Sequence, residues 1–406
     1  MTKVGYRMTE IGEIPEEWSL DILENEVEIM DSRRVPLSEV EREQRKGPFP
    51  YCGANGIIDY VDDYIFDEEA ILLAEDGGSY GKFQNSAYLM DGKYWVNNHA
   101  HIIKGKRGIV NNKYILYWLN YSDINKYISG STRAKLNQER LKSIPIPRVP
   151  LPEQQKIAEI LSTADDEIQK MDEQIALAEQ LKKGLMQKLL TRGIGHTRFK
   201  MTEIGEIPEE WDVKKIRELR QNIYYGITAK ATKENTNLRM LRTTDIKNFK
   251  FDLNNLPFCQ ITEKRSDLSK YFLKRNDIII ARAGTVGVSI LVEENLNNVL
   301  FGSYLIKIIF KQETIDMPFI HYYFQSQLYW NNISNAQGST IKNINLPFLN
   351  SLEIPLPPIP EQQKIAEILS TVDNKLELLG TKRDKLNVLK KGLMNDLLTG
   401  KVRVKV

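Results

Sequence analysis

Three short segments of this 406-residue chain come close to catalytic or ligand-binding motifs, and each lacks a required member. Gly81-Lys82 is followed by Phe83, so it is not the Gly-Lys-Ser/Thr end of a phosphate-cradling loop. Leu356-Pro357-Pro358-Ile359 lacks the Asp or Asn and the aromatic residue of an adenine methyltransferase loop. His99 and His101 have no nearby cysteine or third histidine, which disfavours a metal site. The sequence therefore predicts a chain that recognises a ligand, with no catalytic residues and no metal.

An internal repeat organises the rest of the chain. The string from Met8 to Trp18 returns letter for letter at 201–211, and the string from Pro152 to Thr163 returns at 360–371. Between these markers the two inserts differ, although a gapless match begins again at Gly130-Ser131-Thr132 and Gly338-Ser339-Thr340. A repeated frame with unlike inserts suits a protein that holds two different recognition surfaces.

Composition limits the class of protein. The chain has 56 basic and 54 acidic residues, a net charge of +2, so a nucleic-acid binder would have to segregate its charges onto one face. The acidic run at 59–69 would then point elsewhere. Cys52 and Cys259 are the only cysteines, which excludes a disulfide framework and suits the cytoplasm. No signal segment or membrane span is predicted.

Two segments are predicted to form long helices. Each opens with proline and glutamate, which suit a helix N-terminus. Apolar residues then recur in steps of three and four over about 38 residues, the spacing of a coiled-coil seam, with ordinary core packing as the alternative. We expect the stripe to continue through Leu181, Leu189, Leu386 and Leu389, and a glycine to end each helix. The predicted seam residues are Ile157, Leu161, Ile168, Met171, Ile175, Leu185, Ile365, Leu369, Leu376, Leu379, Leu393 and Leu397.

The inserts carry short β-rich strings such as Ala70–Ala74 and Ile278–Ala281, each followed by a glycine turn, and aromatic-rich helices at 114–119 and 319–324. After the second long helix, 400–404 resembles the linker at 195–199, so the termini should lie close together.

As a set, these repeats resemble the specificity subunit of Type I restriction-modification systems. The carriers are the paired Ile-Pro-Glu-Glu-Trp strings, the paired Pro-Glu-Gln-Gln-Lys-Ile-Ala-Glu-Ile-Leu helix starts, and the Leu-Lys-Lys-Gly-Leu-Met helix ends. The resemblance covers essentially the whole chain. It implies an α+β fold with two mixed α/β target-recognition domains, separated by two long antiparallel helices that form a coiled coil, in a pseudo-twofold internal repeat. The predicted boundaries are 1–143, 144–195, 196–351 and 352–406.

The resemblance also implies partners. Each target-recognition domain would read one half of an asymmetric bipartite DNA sequence, while the helices set the spacing and dock two methyltransferase subunits, which restriction subunits then join. S-adenosylmethionine would bind the methyltransferase partner, ATP and Mg the restriction partner, and no cofactor this chain. Lys156, Glu159, Gln174 and Lys188 are plausible docking positions, or else ordinary solvated surface.

Sequence choice should lie where the inserts differ. Glu75 and Asp76 follow the first strand where Arg282 and Ala283 follow the second. A carboxylate can accept from cytosine N4 and an arginine can grip guanine O6 and N7, although an internal salt bridge of Glu75 is an equal alternative. The further candidates for base contacts are Tyr80, Lys82, Asn97, His99, Tyr224, Tyr225, Lys230, Lys233, Arg242 and Thr285.

Phosphate contacts are expected at the glycine loops that the two inserts share. Hydroxyls, backbone amides and basic side chains at such turns suit phosphate oxygens, with a simple turn as the alternative. These residues are Ser131, Thr132, Arg133 and Lys135 in one insert, and Ser339, Thr340 and Lys342 in the other. Two rival functions are a coiled-coil scaffold that binds no DNA, which the near-neutral charge favours, and a self-sufficient methyltransferase, which the missing motifs disfavour.

Overall fold

The computed structural model describes residues 4–130, 134–262, 267–336 and 343–405. No helix among them is both long enough and apolar enough to cross a membrane. The chain forms two compact units, and the division between them falls inside both long helices. The first unit comprises Met1–Glu173 and Gly380–Val406, and the second comprises Gln174–Leu379. Each unit thus contains one insert together with a part of each long helix.

The first unit is a mixed α/β structure whose central strands are buried on both faces. Its elements before the long helix are β1 (Tyr6–Thr9), β2 (Gly12–Pro15), β3 (Ser19–Ile22), α1 (Leu23–Glu26), β4 (Val27–Ile29), α2 (Glu39–Gln44), β5 (Lys46–Gly53), β6 (Gly56–Val61), β7 (Phe66–Asp67), β8 (Ala70–Ala74), β9 (Ala87–Met90), β10 (Lys93–Val96), β11 (Ala100–Gly105), α3 (Asn112–Tyr121), α4 (Gln138–Lys142) and β12 (Pro145–Arg148).

Two four-stranded sheets form the body of the first unit. Their strand orders are β4-β11-β8-β9 and β6-β5-β10-β7, and the pairs β1-β2 and β12-β3 lie outside them. Strand β8 is buried along its whole length, as its unbroken apolar sequence predicts. The predicted aromatic helix is present as α3, which begins at the N-cap Asn111 and buries Tyr114 and Trp118 in the main core.

The second unit repeats this plan with different strands. Its elements around the long helices are β13 (Phe199–Thr202), β14 (Gly205–Pro208), β15 (Asp212–Lys215), α6 (Ile216–Leu219), β16 (Arg220–Tyr225), β17 (Ala229–Thr232), β18 (Arg239–Leu241), β19 (Phe258–Ile261), β20 (Phe272–Leu273), β21 (Ile278–Ala281), β22 (Ser289–Leu291), β23 (Leu296–Phe301), β24 (Leu305–Phe310), α7 (Met317–Tyr323), α8 (Gln327–Ala336), α9 (Leu346–Ser351) and β25 (Glu353–Leu356). Its sheets have the orders β16-β24-β21-β22 and β17-β19-β18-β23-β20, with the separate pairs β13-β14 and β15-β25.

The long helices are α5 (Leu151–Arg192) and α10 (Ile359–Leu398). Within each unit they run antiparallel, as the cross-helix ion pairs show. In the first unit Asp165 pairs with Lys390, and Asp172 with Arg383 at 3.6 Å. In the second unit Lys182 pairs with Asp373 at 2.7 Å. The predicted fold class, mixed α/β inserts joined by paired long helices, is therefore confirmed.

The apolar seam agrees with the prediction over most of its length. The buried seam residues are Ile157, Leu161, Met171, Ile365, Leu369, Leu379 and Leu397, and the half-buried ones are Ile168, Ile175, Leu185, Leu376 and Leu393. The continuation through Leu181 and Leu389 is wrong, because these side chains are 55% and 54% exposed. The heptad instead passes through Lys182 and Lys390, whose ammonium groups reach carboxylates of the opposite helix.

The repeated entry segments attach to the helix starts in the same way in both units. In the first unit the Trp18 indole donates to the buried Glu153 at 3.2 Å, and in the second Trp211 donates to Glu361 at 2.9 Å. Arg403 adds two hydrogen bonds to Glu153, at 2.7 and 2.9 Å. The chain ends are therefore close together within the first unit, as predicted.

Candidate nucleic-acid interface

In the first unit a polar cluster forms where β8 ends. The Glu75 amide donates to the His99 carbonyl at 2.8 Å, and the Glu75 carbonyl accepts from the Leu136 amide at 2.7 Å. These two bonds tie the loop after β8 to the residues before β11 and to the segment that follows the shared glycine loop. Asp76 and Lys135 form a further bridge between the same loops. Three segments that are far apart in sequence thus meet at one edge of the sheet.

The Glu75 carboxylate is held by two cations inside this cluster. Arg34 Nη1 lies 2.5 Å from one carboxylate oxygen, and Lys135 Nζ lies 3.1 Å from the other. Burial opposes ionisation of the carboxyl, but the hydrogen bonds from Arg34 and Lys135 outweigh it and keep the pKa of Glu75 below its usual value. Of the two alternatives for Glu75, the internal salt bridge is therefore present. A contact with cytosine would have to share the carboxylate with these cations.

Asp31, Glu75 and His101 bring possible metal-ligating atoms within 4.8 Å of one another. His101 Nδ1 lies 2.6 Å from Asp31, and its Nε2 lies 2.8 Å from the Leu136 carbonyl oxygen, so both ring nitrogens are already engaged. The Arg34 guanidinium lies beside both carboxylates and already supplies the positive charge that a metal ion would bring. The cluster is an ion-pair network that fixes the loops.

The other predicted residues of the first unit divide into accessible and buried ones. His99 is partly exposed and hydrogen-bonds Asp76 at 3.0 Å, so it can reach a ligand. Tyr80 and Asn97, also predicted as base contacts, are both buried in this structure. The Tyr80 hydroxyl donates to the Ala74 carbonyl, and the Asn97 side-chain oxygen accepts from the His99 amide. Lys82 is exposed, but its ammonium group lies 4.5 Å from the centre of the Tyr121 ring at the end of α3.

The second unit has the same backbone arrangement at the end of β21. The Arg282 amide donates to the Tyr304 carbonyl at 2.9 Å, and the Arg282 carbonyl accepts from the Ile344 amide at 2.9 Å. These bonds correspond to those of Glu75 with His99 and Leu136. The predicted equivalence of Glu75 and Arg282 is therefore confirmed, and the two units place opposite charges at the same position of the fold.

Among the described residues, Arg282 differs from Glu75 in forming no ion pair. Its guanidinium carbon lies 4.8 Å from the centre of the Tyr225 ring, and its buried Nε has no hydrogen-bond partner in the part of the chain that the structure describes. The Tyr225 hydroxyl in turn accepts from the Leu346 amide at 3.3 Å, which fixes the ring. The structure thus places a preoriented arginine, without an ion pair to any described residue, at the edge of the sheet. Tyr225, predicted as a base contact, contacts and positions this arginine, and its role toward DNA stays a prediction.

The remaining candidates of the second unit lie in the loop after β21 or in and around the sheet that contains β17. Thr285 is exposed in the loop itself, and Lys230 and Lys233 are exposed in and just after β17. Tyr224 is half-buried against the core. Arg242 is already engaged, because it forms a two-point ion pair with Asp245 at 2.7 and 3.0 Å.

Comparison with known proteins identifies the family. Residues 15–180 and 208–388 both match the Type I restriction modification DNA specificity domain. The chain belongs to this family. The type I restriction enzyme MjaVIII specificity subunit of Methanocaldococcus jannaschii is 29% identical, over 97% of this chain and 94% of the relative. The MjaX specificity subunit of the same organism is 30% identical, over 99% and 97%. This chain is therefore a specificity subunit, not a catalytic subunit.

Solved structures of the family share this fold. The S subunit of the Type I restriction-modification system from M. genitalium superposes with a TM-score of 0.62 at 16% identity, covering 94% of this chain and 96% of that chain. A chain from a structural study of complex assembly and conformational transition of the type I R-M system gives 0.55 at 14% identity, covering 96% and 99%. These likenesses concern the fold alone.

Two residues of the candidate interface, Arg34 and Tyr304, were not predicted from the sequence of this specificity subunit. Arg34 neutralises Glu75 from 41 residues away, and no local pattern marks that pairing. Tyr304 is 64% exposed beside Arg282 and holds the place that His99 holds in the first unit. An alignment anchored on the residues just before β11 and β24 would have found it.

The predicted phosphate-binding loops lie largely outside the described residues. This applies to Ser131, Thr132, Arg133, Ser339, Thr340 and Lys342. Lys135, the described member, is bound to Glu75. A phosphate-positioning role for these loops stays a prediction.

Two carboxylates in the acidic run of the first insert, Asp59 and Asp62, are neutralised locally. Asp59 pairs with Arg42 at 3.0 Å and with Lys46 at 2.9 Å, and Asp62 pairs with Arg45 at 2.8 Å. The hydrogen bond from Lys46 lowers the pKa of Asp59 to about 2. These carboxylates therefore do not present a bare negative surface to a ligand.

Both long helices expose one apolar face at equivalent positions. Leu181 and Leu389 are exposed, and Gly184 and Gly392 have open space where a Cβ would stand. The residues around Leu181 form a shallow groove, lined by Leu177, Gln180, Leu181, Gly184, Leu185 and Lys188. A glycine inside a helix costs about 1 kcal/mol relative to alanine, and this chain's own packing does not require either one. Lys188 borders the groove, whereas Lys156 and Glu159 pair with each other elsewhere on α5.

Proposed function

We propose that this specificity subunit recognises an asymmetric bipartite DNA sequence, with one half-site read by each unit. The observation that carries the proposal is the pair of equivalent loop positions after β8 and β21. One holds a carboxylate neutralised by Arg34 and Lys135, and the other a guanidinium that contacts the Tyr225 ring and has no ion pair with any described residue. Because the backbone hydrogen bonds are the same and the side chains differ, the fold supplies two similar frames with unlike chemistry. Unlike chemistry in the two frames supports two different half-sites.

Arg282 is the strongest candidate for a direct base contact. A guanidinium fork matches O6 and N7 of guanine in the major groove, and the described part of the chain offers Arg282 no carboxylate that would compete. Stacking on Tyr225 fixes the plane of the guanidinium and reduces the side-chain entropy lost on binding. His99 is partly exposed, and Tyr304 and Thr285 are exposed, beside the same loop positions. We propose that these three side chains contact neighbouring bases or phosphates.

The long helices are proposed to set the distance between half-sites and to dock two methyltransferase subunits. Helices of 42 and 40 residues are about 60 Å long, more than the roughly 34 Å of one turn of the duplex. The Leu181–Gly184 face and its equivalent Leu389–Gly392 face support two copies of one partner, since the same apolar face occurs once in each unit. A glycine on such a face permits close approach of a partner helix.

The proposal assigns the chemistry to the partners. The methyltransferase subunits would bring S-adenosylmethionine and extract the target adenine from the base stack. Restriction subunits with ATP and Mg would join the same complex, and the complex would act in the cytoplasm on double-stranded DNA.

Adenine methylation mapping tests the proposal. The chain is expressed with its methyltransferase partner in a host without other methylation, and methylated adenines are located across the genome. We expect one asymmetric sequence with two specified parts separated by unspecified bases. Methylation with no sequence preference, or of a single continuous sequence, would contradict two-part recognition.

A binding experiment separates this function from a scaffold without DNA binding. The purified assembly is titrated with random duplex at several salt concentrations, and fluorescence anisotropy reports binding. A DNA reader should lose affinity steeply as salt rises, because bound phosphates release counterions. Binding that does not depend on salt, or no binding at low salt, would favour the scaffold.

A further inference from the structure

The β5–β6 hairpin of the first unit exposes two adjacent isoleucines. Ile57 is 45% exposed and Ile58 56%. Neighbouring side chains of a regular strand point to opposite faces, so two consecutive exposed apolar residues need a local cause. The cause is a β-bulge. Tyr51 pairs with Asp59 and Cys52 with Ile57, which leaves Ile58 as the extra residue. Bulges re-aim side chains and are frequent beside functional sites.

The tip of this hairpin is fixed against the polar cluster of the first unit. The Asn55 side-chain amide donates to the Gly77 carbonyl at 3.1 Å, in the loop that follows Glu75. The Tyr88 hydroxyl donates to the Gly53 carbonyl at 2.6 Å, and the Asn97 amide donates to the Cys52 carbonyl at 3.0 Å. The hairpin that carries the isoleucines is therefore tied through its tip to the loops that we propose to face DNA.

Charge on the hairpin does not prevent the approach of a duplex. Asp59 follows the isoleucines directly, and Arg42 and Lys46 neutralise it. The basic partners lie on α2 and at the start of β5, so they move together with the hairpin. A bare carboxylate at this point would repel phosphates, whereas this ion pair does not.

We propose that Ile57 and Ile58 contact base edges in the major groove of the first half-site and recognise the 5-methyl group of a thymine. The inference rests on the proposed function, to which it adds the chemical group that is read. The major groove admits a two-stranded β-ribbon, and the thymine methyl is the apolar group displayed there. The polar cluster around Glu75 then contributes the hydrogen-bonding part of the same half-site.

Replacing thymine by deoxyuridine tests the inference, because it removes the methyl group and keeps every hydrogen-bonding group. The chain is assembled with its methyltransferase partner, and affinity is measured by anisotropy for its mapped target and for targets with single deoxyuridine replacements. The wild-type assembly should lose about fourfold in affinity at one or two thymines of the first half-site, the value of one buried methyl. The double variant Ile57→Ser/Ile58→Ser should bind the thymine and deoxyuridine targets equally.

Val40→Ser is the matched control, because Val40 is another exposed β-branched residue of the same unit, on α2. It should keep the wild-type response to deoxyuridine. Equal discrimination by the double variant and the wild type would overturn the inference, as would a wild-type assembly that ignores every thymine methyl. Loss of partner assembly in the double variant would assign the isoleucines to a protein contact instead. If the wild-type assembly shows no sequence preference at all, the proposed function itself fails, which is a distinct result.

Discussion

Replacement of Arg282 by alanine should abolish the preference for a guanine in the second half-site and leave the first half-site unchanged. A bidentate arginine–guanine contact contributes about 1–3 kcal/mol of discrimination, which corresponds to about 5- to 150-fold in affinity. Because Tyr225 already holds the guanidinium and no described carboxylate must be displaced from it, we expect the upper half of that range, about 30-fold or more. Arg282→Lys should keep the positive charge but lose the fork, so its guanine preference should fall as well.

Selection from a randomised second half-site gives the direct measurement. The wild-type assembly and the Arg282→Ala variant are each used to select bound duplexes, and base frequencies are compared position by position. Replacing the selected guanine by 7-deazaguanine removes the N7 acceptor and should weaken only the wild-type assembly. Arg242→Ala is the matched control, because Asp245 already engages that guanidinium. Identical base preferences for wild type and Arg282→Ala would refute the assignment of Arg282 to a base contact.

Three further predictions follow from contacts within each unit. Arg403→Ala should destabilise the first unit by about 1–3 kcal/mol in thermal unfolding, since it removes two hydrogen bonds from a buried carboxylate. The exposed neighbour variant Lys401→Ala should not destabilise it. The Glu75 carboxyl has a pKa below its ordinary 4.5, so the stability that it contributes is complete above pH 4.5 and is lost as the pH falls through the lower folded pKa. The difference in stability between wild type and Glu75→Gln should therefore vanish at that acid pH. A difference that persists there would contradict the ion pair. Leu181→Ser or Leu389→Ser should each remove one methyltransferase subunit, and the double variant both, as counted by native mass spectrometry; full occupancy of the double variant would rule out these faces.

Local sequence patterns predicted the elements whose environment is set by their own residues. The apolar string of β8 and the proline-led starts of the long helices needed no tertiary information. The seam was mispredicted at Leu181, because hydrophobicity alone favoured leucine over Lys182. In the structure Lys182 occupies the seam position, because its ammonium group pairs with Asp373 of the opposite helix, a residue that lies far away in sequence.

The candidate site was less predictable for the same physical reason. The equivalence of Glu75 and Arg282 follows from strand patterns and was predicted. Whether each charge is free depends on long-range partners, and Arg34 and Tyr225 could not be assigned from local sequence. The burial of Tyr80 was likewise invisible, because a tyrosine in a glycine turn can face either solvent or core.

The division of the chain into units sets an order of assembly during synthesis. The second unit is a continuous stretch, Gln174–Leu379, so all of its residues are joined to the chain before the last part of α10 is made. The first unit needs 380–406, including Arg403, to cover the start of α5. The half of the protein that is translated first is therefore completed last, and until termination its buried Glu153 and the apolar residues around it lack their final neighbours. A released chain truncated just before Arg403 should therefore contain every residue of the second unit but lack a residue that completes the first.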